Sequence, residues 1–167
     1  MVYPGQKIKV FISSICGVEK YDKVRAELKG AIEWTQLADV YTFEGAGAST
    51  LPAGTHYTLA LEDSDICIFL IDNADGINPG VQNEIDTVEK YNIKALYYFC
   101  DETKKEKTAL QQKLTGAHFS KSKTVHSFNE LSQDGARALI DDIIAVYHYY
   151  CTGRIVLKET GADDNQE

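Results

Sequence analysis

Apolar positions along the chain alternate between two periods. Residues 7–15, KIKVFISSI, are β-branched and end in Ser-Ser, predicting a strand. Over 18–34, Val18, Tyr21, Val24, Leu28, Ala31 and Ile32 recur at helical spacing. A second strand is expected over 38–45, a Gly/Ala/Ser/Pro loop after it, and a helix over about 55–63. SDICIFLID, 64–72, is apolar on both faces, the mark of a central parallel strand. The pattern continues with a helix after Asn78-Pro79-Gly80, a buried strand over 93–101, a polar helix over 103–114 and an edge strand over 123–129. A closing helix over 132–150 carries Ala136, Leu139, Ile140, Ile143, Ile144 and Tyr147 on its apolar stripe.

Five strands separated by helices require right-handed crossovers, giving an α/β, doubly wound, mostly parallel sheet of flavodoxin-like order 2-1-3-4-5. In such sheets ligands bind beyond the carboxyl ends of the strands where the winding reverses, here between the first and third strands. That rule selects two loops, Ser13 to Gly17 and Asn73 to Gly80. The domain is expected over 1–153, with 154–167 a polar tail or linker.

Composition narrows the chemistry. The 167 residues, 44% of them hydrophobic and 10% aromatic, suffice for one continuous core. Seventeen Lys plus Arg against 25 Asp plus Glu give a net charge of −8, which opposes nucleic-acid binding. No apolar run approaches membrane-spanning length, and the start lacks a leader pattern, so a soluble cytoplasmic protein is expected. Cys16, Cys67, Cys100 and Cys151 form no CxxC pair, and Cys67 and Cys100 fall in apolar strands as small hydrophobes. The histidines show no ligand spacing, so no metal is expected.

Glu84 stands on the helix leaving the second loop. Val81, Ile85 and Val88 define the buried direction of that helix, and Glu84 lies roughly 60° to one side. Two readings stay open: a carboxylate at the rim of a cleft, or an acid placed where helix N-termini favour one. Ser13, Ser14, Cys16 and Gly17 are candidates to line the first loop, with hydroxyls and backbone N–H groups suited to a phosphate. Ser is equally an ordinary turn and capping residue. Asp72 and Asn73 end the third strand at the crevice and are further ligand candidates, although Asx residues also end strands for local reasons. Asp63 and Asp65 are read as structural. GAGAST, 45–50, lacks the GK[ST] of a phosphate loop and reads as a mobile cover over the crevice.

KVFISS, YDKVRAEL, EDSDICIFLIDNADG and GVQNEIDTVEKYNIKALYYF together resemble bacterial TIR-like domains, in particular the N-terminal modules of NTPase-type defence proteins. The resemblance covers 7 to about 150, and nucleoside 2-deoxyribosyltransferase-like domains share part of it. It implies cleavage of an N-glycosidic bond, with Glu84 matching the position of the family's glutamate. NAD or a related nucleotide is the implied substrate, with no separate cofactor. The implied setting is bacterial immune signalling, with activation by assembly into a homo-oligomer or alongside other domains. Two other functions remain open from the sequence: a non-catalytic TIR-like self-association module, and a deoxyribosyltransferase, for which Asp72 and Asn73 would supply a second carboxylate and an amide.

Overall fold

The computed structural model describes residues 7–73, 78–102, 106–116, 120 and 122–152, with side chains as far as Tyr149. The expected tail and the start of the polar helix, 103–105, lie outside these. Five strands, β1 (Ile8–Ser14), β2 (Ala38–Tyr41), β3 (Ile66–Asp72), β4 (Lys94–Cys100) and β5 (Lys123–Val125), alternate with helices α1 (Glu19–Trp34), α2 (Ala53–Glu62), α3 (Pro79–Tyr91), α4 (Ala109–Leu114) and α5 (Phe128–Thr152). All strand pairings are parallel, in the order β2-β1-β3-β4-β5. The doubly wound, flavodoxin-like sheet read from the periodicity is therefore present.

The two-residue period of β3 explains the layering. Ile66, Ile68 and Leu70 point to one face, where they pack with Val24 and Leu28 of α1 and Leu139 and Ile143 of α5. Cys67, Phe69 and Ile71 point to the other, against Leu61 of α2, Val81, Ile85 and Val88 of α3 and Leu114 of α4. A strand buried on both faces must be apolar at every position, and β3 is from Ile66 to Ile71. At the end of the sheet opposite the crevice, Asp65 fixes the register of β1 against β3. Its N–H donates to the Lys9 carbonyl at 2.8 Å, and its carboxylate accepts the Lys9 N–H at 2.8 Å. Asp63 pairs with the Lys9 ammonium, so both acids are structural.

Three of the boundaries that differ from the expected ones have local causes near the sheet's edges. β2 ends at Tyr41, because Thr42 to Gly45 fold into a turn closed by the Gly45 N–H on the Thr42 carbonyl at 3.1 Å. Space there is tight: a Cβ on Gly45 would stand 2.8 Å from Thr42 Oγ1. β5 ends at Val125, and α5 begins at Phe128, four residues earlier than the periodicity predicts. The reason is a cap in SFNE: Ser127 Oγ accepts the Glu130 N–H at 3.1 Å, and the Glu130 carboxylate accepts the His126 N–H at 3.2 Å. The buried line of α5 runs through Leu131, Gly135, Leu139, Ile143 and Val146, and Ile144, expected on it, is 53% exposed.

Ile68 is fully buried at the centre of β3. Ile68→Ala should cost about 2–5 kcal/mol, read as a lower urea midpoint with an unchanged slope.

Candidate functional site

β1 ends in two hydroxyls, and consecutive strand residues face opposite sides of a sheet. β1 runs between β2 and β3, where the winding reverses, and Ser13 and Ser14 pair with Phe69 and Leu70 of β3, past the last β2 partner, Tyr41 opposite Phe11. Ser13 points toward α3 and donates its hydroxyl hydrogen bond to Glu84 Oε2. Ser14 points toward α1, where its hydroxyl accepts from Nη1 of Arg25. Glu84 and Arg25 thus reach the same strand end from opposite helical layers. Between them is a cleft of about 170 Å³, lined also by Cys16, Phe43, Tyr57 and Val81.

The start of α3 decides between the two readings of Glu84. Asn78 is its N-cap, accepting the Val81 N–H at 2.8 Å, and Pro79 occupies the first helical position, where its missing N–H costs nothing. The helix therefore begins two residues before the expected start, and its first turn contains no acid. Glu84 lies in the second turn, beyond the reach of the dipole effect that would account for a first-turn acid. It is half-buried, facing the cleft. Burial pushes its carboxyl above the ordinary value, while the Ser13 hydrogen bond and the charge of Arg25 act in the opposite direction. Oε1 accepts no hydrogen bond from the described residues.

Arg25 was not among the residues the sequence singled out, yet it is buried at 2% exposure and lines the cleft. Its guanidinium donates to Ser14, to the Ile15 carbonyl at 2.9 Å, to Asp22 and to both oxygens of Glu44, the Nε bond measuring 3.3 Å. The signal was in the spacing: Arg25 falls four residues after Tyr21 and three before Leu28, on the buried stripe of α1. A cation on an apolar stripe requires partners there. Phe43 and Tyr57, the aromatic walls, carried no sequence signal, because which residues border a cleft depends on where a loop folds back.

The remaining candidates separate. Ser13, Ser14 and Cys16 line the cleft with Glu84, whereas Gly17, Asp72 and Asn73 are not among its lining residues. Gly17 has φ +77°, a left-handed conformation that suits glycine in the turn from β1 to α1. Asp72 accepts the Tyr21 hydroxyl at 3.1 Å on the α1 side of the sheet. Asn73 is buried at 2% exposure and donates to Gln111 Oε1 at 3.0 Å, and Gln111 in turn donates to Thr124 at 2.6 Å. These contacts tie the end of β3 to α1 through Asp72 and to α4 and β5 through Asn73, and neither side chain lines the cleft. Cys67 lies fully buried behind Glu84, its thiol held up by burial and by that carboxylate. No helix among the described residues is long and apolar enough to cross a membrane.

An all-parallel five-stranded sheet with a cleft at its winding reversal defines a flavodoxin-like α/β protein. No protein-family model matches the chain, and no curated protein sequence matches it. Among solved structures, the Clostridium botulinum CMP N-glycosidase BcmB is similar in fold, with a TM-score of 0.57 and 17% identity over 75% of this chain and 95% of its own. A conserved protein from Enterococcus faecalis V583 aligns with a TM-score of 0.48 and 15% identity over 77% of this chain and 96% of its own.

Two measurements check the electrostatics. A carboxyl raised above its ordinary value near 4.5 binds its proton more tightly in the folded state. Its contribution to stability is complete below the unfolded value and is lost as pH rises through the folded one. Glu84→Gln keeps an acceptor for Ser13 and removes the charge. The variant should match the parent in urea titrations near pH 4 and exceed it at neutral pH. Arg25→Met removes the opposing cation, so the Glu84 carboxyl should titrate higher still by NMR, with a stability loss of about 1–3 kcal/mol.

Proposed function

We propose that this chain cleaves the N-glycosidic bond of a nucleotide, with Glu84 as the carboxylate that faces the anomeric carbon. The observation that carries the reading is one half-buried glutamate, aimed by Ser13 into a cleft at the winding reversal. When the C–N bond breaks, its electron pair leaves with the base and positive charge develops across C1′ and the ring oxygen. An oriented carboxylate with little water around it stabilises that charge. Ser13 holds Oε2 and leaves Oε1 toward the sugar; water then adds at C1′ and releases a proton.

NAD, losing nicotinamide, is the substrate implied by the TIR-like resemblance, and nicotinamide leaves readily because it departs as a neutral base. In that reading the protein serves bacterial immune signalling in the cytoplasm and is activated by assembly as a homo-oligomer or beside other domains. A second reading, base release from a nucleoside monophosphate, is favoured by the likeness in fold to a CMP N-glycosidase. A deoxyribosyltransferase is supported less, because Asp72 and Asn73 do not line the cleft.

Concentrated or artificially clustered protein should release nicotinamide from NAD or cytosine from CMP. Glu84→Ala and Glu84→Gln should each lower that rate by at least about 10²-fold. Base release unaffected by either substitution would remove Glu84 from the chemistry. No release from either nucleotide under any assembly condition would favour a non-catalytic self-association module. The raised carboxyl also predicts an acid limb in kcat/KM above the ordinary glutamate range, moving further up in Arg25→Met.

A further inference from the structure

Arg25 has five N–H donors, and all are engaged. Nη1 serves Ser14 Oγ and the Ile15 carbonyl, Nη2 serves Asp22 and Glu44, and Nε serves the second oxygen of Glu44. Ser14, Ile15 and Asp22 are fixed by β1 and α1. Glu44 differs: it sits in the Thr42–Gly45 turn, within a stretch of eleven residues, 42–52, that has no helix or strand. Its side chain is 45% exposed, whereas that of Arg25 is 3% exposed. A fork of two parallel bonds from Nε and Nη2 to a carboxylate is the geometry a phosphate also takes.

We propose that Glu44 is a resident stand-in for the phosphate of the substrate, a specificity-determining residue that must leave Arg25 before a phosphate-bearing nucleotide seats fully. This rests on reading the cleft as a nucleotide site. The exchange is chemically even: Arg25 keeps its bonds to Ser14, Ile15 and Asp22, and one two-oxygen anion replaces another. Glu44, 45% exposed, can return to water, and the incoming phosphate keeps the buried Arg25 donors paired. A neutral nucleoside offers no anion, so it leaves the Glu44 bond closed. Phe43, next in the same turn and 52% exposed on the cleft wall, moves with Glu44. Phosphate recognition thereby reshapes the wall against which the rest of the substrate lies.

The test uses inorganic phosphate as the probe, so it is independent of turnover. With ¹⁵N-labelled protein, the Arg25 Nε–H signal, assigned through Arg25→Lys, is followed while phosphate is added at constant ionic strength. Wild-type protein should show coupled shifts of Arg25 Nε–H and of the Phe43, Glu44 and Gly45 amides. Glu44→Gln should respond at roughly three- to tenfold lower phosphate, while Glu62→Gln, the same charge change on α2, should leave the midpoint where it was. An unchanged midpoint in Glu44→Gln, an equal gain in Glu62→Gln, or an Arg25 response without the turn amides would each overturn the proposal. Loss of base release with the phosphate response intact would count against the glycosidase reading alone.

Discussion

The position of β1 inside the sheet governs everything at the cleft. Because β2 lies on one side of it and β3 on the other, the helix that leaves β1 and the helix that leaves β3 pack on opposite faces. Their ends part above β1, and the gap is the cleft. A strand in that place buries apolar side chains on both faces through its middle, here Val10 to Ile12, and changes to polar ones where the covering layers separate. β1 does so in a single step, from Ile12 to Ser13 and Ser14. The pleat sends one hydroxyl to each layer, so two adjacent residues of the same type acquire opposite electrostatic partners, a carboxylate on one side and a guanidinium on the other.

Much of this was legible in the chain. The order and type of the elements followed from apolar period alone, since parallel strands and amphipathic helices leave different spacings. The winding rule then pointed to Ser13, Ser14 and Glu84 before any side chain had been placed. Less legible were features set by contact across the fold. Asp72 and Asn73 end a strand at the crevice, as expected, but they pair with the neighbouring Tyr21 and Gln111 and neither lines the cleft. The early start of α5 was written in SFNE, a local cap that the hydrophobic stripe outweighed. Arg25 was visible as a cation out of place on an apolar stripe, yet the identity of its partners, one of them 19 residues away, required the folded turn.

In the proposed reading the site sets local stability against chemistry. A carboxylate sheltered from water is a poor contributor to folding at neutral pH, and a guanidinium buried at 2% exposure is tolerated only because each donor meets an acceptor. Both costs fall at one strand end, while Val10 to Ile12 of β1 and Ile66 to Ile71 of β3 are apolar and buried. Strain of this electrostatic kind is expected where a protein prepares a group for reaction rather than for packing.

Asn78 gives the site one more property. Because α3 is begun by its own cap and by Pro79, the orientation of Glu84 is measured from that cap, six positions into the helix, and not from the end of β3. The bearing of the acid on Ser13 is therefore set by the register of α3 from its own cap. In the proposed reading, the group that meets the sugar is thus aimed from within its own helix.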